Sequence, residues 1–214
     1  SASLFSQAVD QVMLNRELEA FSEMTERPPF STSVYTFPSG QTAISLPMAE
    51  DLGREVANVL STEVGLPLQH MGMQVHSGNL MLQPTVDSTQ YGEEFLGTVD
   101  VAYIADVVEQ MEIISGSPMD PEGASSDVLE VWMHTRLAET MGANVGDELQ
   151  LSENLSRNPE HVRIVGIWQA SDPEDEFWFE NPDATLRNAF LVRRQDYIER
   201  IQPMVPKKTW YLSW

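Results

Sequence analysis

Carboxylates are the groups in this sequence most able to do chemistry, since the 214 residues hold 33 Asp and Glu against 12 Lys and Arg. The densest cluster, residues 172–176, has four carboxylates in five positions, and residues 120–123 with Asp127 resemble half of a calcium-binding loop. Calcium takes six to eight oxygens in a loop that usually turns through a glycine. The first cluster lacks that glycine and the second lacks a well-placed final glutamate. Solvated loops are the favoured interpretation, with calcium binding as the alternative.

Histidine, serine and glycine show none of the spacings that build a familiar site. His70 and His76 would lie roughly 20 Å apart on a straight strand, and no HExxH or H-x-H occurs. The phosphate-binding and nucleophile motifs are missing, and so is cysteine. We therefore predict no catalytic residue, no nucleotide or other cofactor, and no transition metal. A carboxylate pair of the glycosidase type depends on a separation that sequence does not show, so a hydrolase stays an alternative.

The formal charge of −21 excludes several classes of partner. It repels phosphate backbones and anionic membranes, and no Lys/Arg run supplies a local positive field. Nucleic acid is therefore not an expected partner. The longest stretch without charge, residues 64–86, holds two prolines, three glycines and two histidines, which a membrane-spanning helix would not tolerate.

Three consecutive aromatic residues follow the acidic cluster directly. They cannot all point inward from one strand or helix. One interpretation is that they anchor a core; the other is that acids and rings form a contact surface, with electrostatic steering around apolar anchors. The predicted partner-contact residues are Asp172, Glu174, Asp175, Glu176, Phe177, Trp178 and Phe179.

The elements that would position these residues are short. In the first half, residues 4–24 favour a helix with two apolar stripes, one of them Leu14, Leu18 and Phe21. Further predicted elements are a strand at 33–37, a helix from Pro47 to Gly65, a hairpin turning at residues 77–79, a strand at 97–104 and a short helix to Met111. The stretch 115–126, rich in Pro, Gly, Ser and Asp, predicts an internal boundary.

The second half predicts more strands than helices. The strands are expected at 128–133, 148–152, 161–169, 188–192 and 209–214, and the helices at 134–141 and 195–201. Short strands and helices without strict alternation predict an α+β fold.

Residues 128–192 carry a phrase that resembles a known family. VLEVWMHTRLAETMGANVGDELQL, from Val128, is a strand, a short helix with Leu-Ala, a glycine, and Val-Gly-Asp before a strand. HVRIVGIWQASDPEDEFWFENPD, from His161, follows with its Val-Gly-Ile, and Ile113 to Gly116 matches a Leu-x-x-Gly that precedes the phrase. The pattern is similar to the extracytoplasmic core domain of ABC-transporter permeases of the MacB/FtsX/LolC type.

The resemblance implies a porter-like mixed α/β subdomain with an inserted β-rich subdomain. By that layout residues 1–117 form the first half of the porter-like part, 118–203 the insert, and 204–214 a return strand. It implies a non-catalytic domain outside the bacterial cell membrane, inserted after the first transmembrane helix, so we expect the chain to be a piece of a larger membrane protein.

The resemblance also implies partners and a role. Through the membrane part the domain would couple to a cytoplasmic ATPase, and outside it would contact a second permease copy or an extracytoplasmic partner protein. Substrate extrusion or action on that partner would be the outcome. The alternatives are a secreted or surface-attached hydrolase using acidic residues, and a calcium-dependent adhesion module.

Overall fold

The described residues form ten strands and a few short helices, which confirms the α+β class. The computed structural model of the protein describes residues 11–17, 20, 24, 33–36, 44–64, 70–85, 95–123, 126–153, 159–205 and 209–213. The strands are β1 (Ser33–Thr36), β2 (Gly72–His76), β3 (Leu80–Pro84), β4 (Gly97–Ile104), β5 (Met111–Gly116), β6 (Leu129–His134), β7 (Glu148–Ser152), β8 (Glu160–Ala170), β9 (Ala189–Leu191) and β10 (Thr209–Ser213).

The helices lie between the strands and are mostly one to four turns long. They are α1 (Leu46–Val59), which runs on into a π-helical turn (Leu60–Val64), α2 (Thr135–Met141), α3 (Pro182–Thr185) and α4, made of Arg194–Asp196, Tyr197–Ile201 and Gln202–Met204. There are also two 3₁₀ turns, Val107–Gln110 and Glu176–Trp178, in the described part of the chain. Residues 11–17 are helical with Val12, Met13 and Leu14 exposed, whereas Leu18 and Phe21 of the predicted stripe lie outside the described residues.

Six strands close into a ring in the order β4-β3-β7-β8-β6-β9. The ring closes because β9 pairs on both sides, antiparallel with β6 and parallel with β4. Closure leaves these strands no free edge over their paired lengths. The strands predicted at 128–133, 148–152 and 161–169 are confirmed as β6, β7 and β8, which are three neighbouring strands of this ring in the order β7-β8-β6.

The remaining strands extend the sheet beyond the ring. On one side of β4, β2 pairs with its last residues, β10 pairs with β2, and β1 pairs with β10. The hairpin predicted about residues 77–79 is wrong, because β2 and β3 both pair antiparallel with β4 instead of with each other. Asp100 explains the difference: its Oδ1 accepts the Gly78 N–H at 3.0 Å, and Ser77 Oγ accepts the Val101 N–H at 2.9 Å. These bonds attach residues 77–79 to β4. The three residues therefore interrupt the path that β2 and β3 follow along β4.

Two apolar cores lie on opposite faces of the ring strands. The larger core takes residues from all six strands of the ring, as a filled barrel interior requires. The smaller core lies on the outer face of β4, β6, β8 and β9 and is covered by residues 171–187. The alternation is explicit on β6, where Val131 and Met133 belong to the first core and Trp132 to the second.

A bulge in β8 decides which residues reach the outer core. Val131 lies opposite Ile164, but the next residue, Trp132, lies opposite Gly166, so Val165 is the extra residue. A one-residue bulge reverses the faces of everything that follows it. Trp168 therefore points outward beside His134, although simple alternation would place it inside with Ile164.

Helix α1 is attached to α4 by two polar contacts. Arg194 forms a bidentate ion pair with Glu50 at 2.6 Å for both bonds, and the Leu46 N–H donates to Gln202 Oε1 at 2.9 Å. Burial, assisted by the nearby Glu50 carboxylate, raises the pKa of Tyr103 to about 12, so this neighbour stays neutral in ordinary buffers. The contacts connect an element from before residue 117 with one from after it.

The division at residue 117 stays a prediction. Strands β3 and β4, from the first predicted part, share the closed ring with β6 to β9 from the second. The predicted return strand forms as β10 and pairs within this chain, between β1 and β2.

Candidate functional site

The predicted contact surface lies in the loop that follows β8. Ser171 begins it with an N–H that donates to the Gln110 carbonyl at 2.9 Å. Two carboxylates then shape the turns: Asp172 Oδ1 accepts the Glu174 N–H at 3.0 Å, and Asp175 Oδ1 accepts the Phe177 N–H at 2.8 Å. Asx bonds of this kind favour turns and helix starts. Two of the four predicted acids therefore stabilise the loop that carries them.

Two of the three predicted contact rings belong to the outer core. Phe177 is 9% exposed and Trp178 is 2% exposed. Trp178 stacks on Trp168 with ring centroids 6.1 Å apart, and its indole N–H donates to the Asp172 carbonyl at 3.1 Å. Phe177 and Trp178 are therefore core anchors. An outward contact with a partner would have to involve the neighbouring side chains.

Phe179 is the ring that remains partly exposed. Its backbone has φ 53°, a conformation that side chains with a Cβ rarely adopt. Its ring lies 5.7 Å from that of His70, which also approaches Phe177 at 5.5 Å. The exposed acids Asp172, Glu174, Asp175 and Glu176 precede it. Partner contact through these acids and Phe179 stays a prediction.

A buried histidine lies beneath this loop, and the sequence reasoning did not single it out. His134 ends β6, is fully buried, and packs edge-on against Trp168 at 5.1 Å. Its Nδ1 accepts the Arg136 N–H at 3.2 Å, as the cap of α2, and its Nε2 lies 3.2 Å from Asp183 Oδ1 in α3. Burial lowers the pKa of His134, and the Asp183 carboxylate opposes that shift. The only sequence signal was a histidine at a strand-to-helix junction.

The other histidines are distributed over separate places. His76 pairs with Asp100, His70 lies against Phe177 and Phe179, and His161 lies on β8 with its Nε2 3.5 Å from Gln150. Among the described residues, no group of three or more His, Asp or Glu side chains is arranged to hold a metal ion.

The segment that resembled half of a calcium loop passes close to a buried arginine. A Cβ added at Gly123 would lie 2.7 Å from Arg193 Nη1, so this turn passes directly over the guanidinium. Arg193 is 5% exposed, donates from Nε to Asp196 Oδ2 at 2.6 Å, and lies 3.0 Å from Glu130. The guanidinium beside this turn is thus paired with carboxylates from outside the 120–127 segment.

Within the described part of the chain, no helix combines the length and the apolar character needed to span a bilayer. Neither a search of family models nor a search of curated proteins gave a match.

Solved structures gave matches at low sequence identity. One is a domain assigned to a permease of Porphyromonas gingivalis, with 15% identity, a TM-score of 0.36, and coverage of 73% of this chain and 65% of that one. Another is the periplasmic region of MacB from Actinobacillus actinomycetemcomitans, with 11% identity, a TM-score of 0.44, and coverage of 85% and 73%. The chain thus spans less than two thirds of the first domain. A MacB periplasmic region is among the structures that this chain is similar to, as the sequence resemblance predicted, and at these TM-scores the likeness is one of coarse layout.

Proposed function

We propose that this chain is the extracytoplasmic domain of an ABC-transporter permease and has no catalytic activity of its own. The observation that carries the proposal is how the family phrase folds. Its first strand is β6, its Leu-Ala lies in α2 as Leu137 and Ala138, both buried, and its Val-Gly-Asp forms the turn into β7. The second strand of the phrase, with Val-Gly-Ile, is β8.

The glycines of the phrase lie where a side chain would be strained or would clash. Gly142 ends α2 with φ 66°, and Gly146 turns into β7 with φ 97°. A Cβ at Gly166 would lie 2.4 Å from Trp132 Cδ1, and one at Gly116 would lie 2.2 Å from the Val165 carbonyl oxygen. Each of these four glycines therefore has its own steric reason to carry no side chain. This supports interpreting the phrase as one structural unit, comparable with the unit in the permeases.

The proposed role is mechanical. Buried charges of the described residues hold elements together, as Arg193 does with Glu130 and Asp196. In the complete protein, the domain would follow movements that a cytoplasmic ATPase drives through the membrane part, and it would act on a substrate or partner protein outside the membrane. Association with a second permease copy is supported by exposed apolar side chains on the outer face of α1, namely Met48, Leu52 and Val59.

Labelling of an introduced cysteine tests the proposed location. The 214 residues contain no cysteine, so Glu174→Cys in the exposed loop gives one reporter in this region. The full-length protein should react with a membrane-impermeant maleimide in intact cells, after the outer membrane has been permeabilised where one is present. The same protein without the substitution is the control, together with a cytoplasmic cysteine protein that must stay unlabelled.

Labelling of the Glu174→Cys reporter only after cell lysis would place the domain in the cytoplasm and contradict the proposal.

The absence of catalysis is tested separately with the purified chain. Saturable hydrolysis of an ester, glycoside or nucleotide that is lost on changing one acidic pair would show an enzyme instead.

A further inference from the structure

His134 combines complete burial with a hydrogen bond that only its neutral form can make. The exposed fraction of the residue is 0%, and Nδ1 accepts the Arg136 N–H at 3.2 Å. An imidazole that accepts at Nδ1 carries its proton on Nε2, which lies 3.2 Å from Asp183 Oδ1. The neutral ring is thus bonded on one side to the first turn of α2 and directed on the other towards α3.

Protonation breaks the Nδ1 side of this arrangement. The imidazolium carries N–H groups on both nitrogens, so Nδ1 then opposes the Arg136 N–H and α2 loses its cap. The new charge lies beneath the outer core, in edge contact with Trp168. The charged groups that face it are Asp183 from α3 and Arg136 and Glu139 from α2.

We propose that His134 is an acid-sensitive latch, which in its neutral form fixes the first turn of α2 to the end of β6 and on protonation releases that turn and the 171–187 loop above it. The loop is involved because Trp178 stacks on Trp168, the ring against which His134 packs. Asp183 pairs with Arg136 at 3.1 Å as well, so α2 and α3 meet at the same carboxylate.

The direction of the pH effect follows from the environment of the ring. Burial lowers the pKa of His134 in the folded state below its usual value of 6.5. The open or unfolded state therefore binds the proton more readily, and stability of the latched state is complete above about pH 6.5. As the pH falls from there to the folded-state pKa, one linked proton increases the opening equilibrium by up to about tenfold per pH unit.

Native-state hydrogen exchange of the Arg136 amide tests the latch in the 214-residue chain. Exchange corrected for its intrinsic rate should show protection that decreases between pH 7 and pH 5. His134→Asn keeps a side-chain acceptor that caps helices but does not titrate, so protection should become independent of pH in that range. His161→Asn is the matched control, since His161 is exposed on β8, and it should keep the wild-type dependence.

Unchanged pH dependence in His134→Asn, or constant protection in the wild type, would overturn the latch. Nitrogen chemical shifts of the His134 imidazole in the wild-type protein give a second test, of the tautomer, that needs no variant. A ring protonated on Nε2 at pH 7.5 supports the proposal, and a ring protonated on Nδ1 contradicts it.

Discussion

At the scale of single residues, glycine makes room for a tryptophan ring beside β8. Gly166 lies opposite Trp132 on β6 and opposite Gly116 on β5. The Trp132 indole crosses over Gly166 and donates from Nε1 to the Ser117 carbonyl at 2.8 Å. A side chain at residue 166 would displace that indole, and with it part of the outer core.

Replacing Gly166 should lower the free energy of unfolding far more than replacing a glycine that is needed only for an unusual backbone angle. We expect Gly166→Ala to lower the free energy of unfolding by about 3 kcal/mol, because its Cβ would lie 2.4 Å from Trp132 and 2.9 Å from the Ser117 oxygen. Gly142→Ala has nothing within 4 Å of its Cβ and should lose only about 1 kcal/mol through its φ of 66°. Urea unfolding of both variants checks the comparison, and equal losses would contradict it.

At the scale of elements, the loop after β8 acts as a cover for the outer face of the ring. Its buried members Phe177, Trp178 and Leu186 meet Trp132 and Trp168 from the strands beneath. The short turns inside the loop, capped by Asp175 and Asn181, direct these side chains inward. An acidic and exposed outer rim therefore surrounds an apolar underside.

The loop allows a direct measurement of which aromatic ring is structural. Trp178→Ala should lower the free energy of unfolding by about 3–5 kcal/mol, since the ring is 2% exposed and stacked on Trp168. Phe179→Ala, at the partly exposed neighbour, should lower it by about 1 kcal/mol. Thermal and urea unfolding give both values. A nearly unchanged melting temperature for Trp178→Ala would show that Trp178 is a contact residue and not a core residue.

Sequence patterns predicted the elements with a strong local signal and left out those that depend on a distant partner. Strand β7 alternates polar and apolar residues over its five positions, and β6 and β8 are rich in Val, Ile and Trp, so the existence of all three strands could be predicted. Strand β5 was missed because Ile114 is bulged out and 50% exposed, which breaks the alternation in a six-residue strand. The segment at 77–79 has the composition of a hairpin turn, but its hydrogen bonds to Asp100, more than twenty residues away, join it to β4.

The same distinction applies to the candidate sites. The acidic and aromatic loop was visible as a cluster in sequence, yet the burial of Trp178 depends on Trp168, which the bulge at Val165 turns outward. His134 and Asp183 are 49 positions apart in sequence and meet only after the ring has closed. Neither a bulge nor a contact of that range leaves a periodic signal in a single sequence.

At the scale of the whole molecule, negative charge dominates. Against 33 acidic residues there are 12 basic ones, and six described arginines are already engaged in ion pairs with carboxylates. They are Arg54, Arg136, Arg163, Arg193, Arg194 and Arg200. Most remaining acids, among them Asp172, Glu174 and Glu176 of the 171–187 loop, therefore contribute to mutual repulsion in the folded state.

Salt should stabilise a chain of this kind. The screening length decreases from about 30 Å at 0.01 M to about 3 Å at 1 M ionic strength, which removes repulsion between separated carboxylates before it removes close ion pairs. We expect the melting temperature to rise with NaCl over that range. The triple variant Asp172→Asn, Glu174→Gln and Glu176→Gln keeps the Asp175 cap and removes three negative charges, so it should melt higher at low salt and respond less to salt. A melting temperature that falls with salt, or an equal response of both proteins, would show that ion pairs outweigh the repulsion.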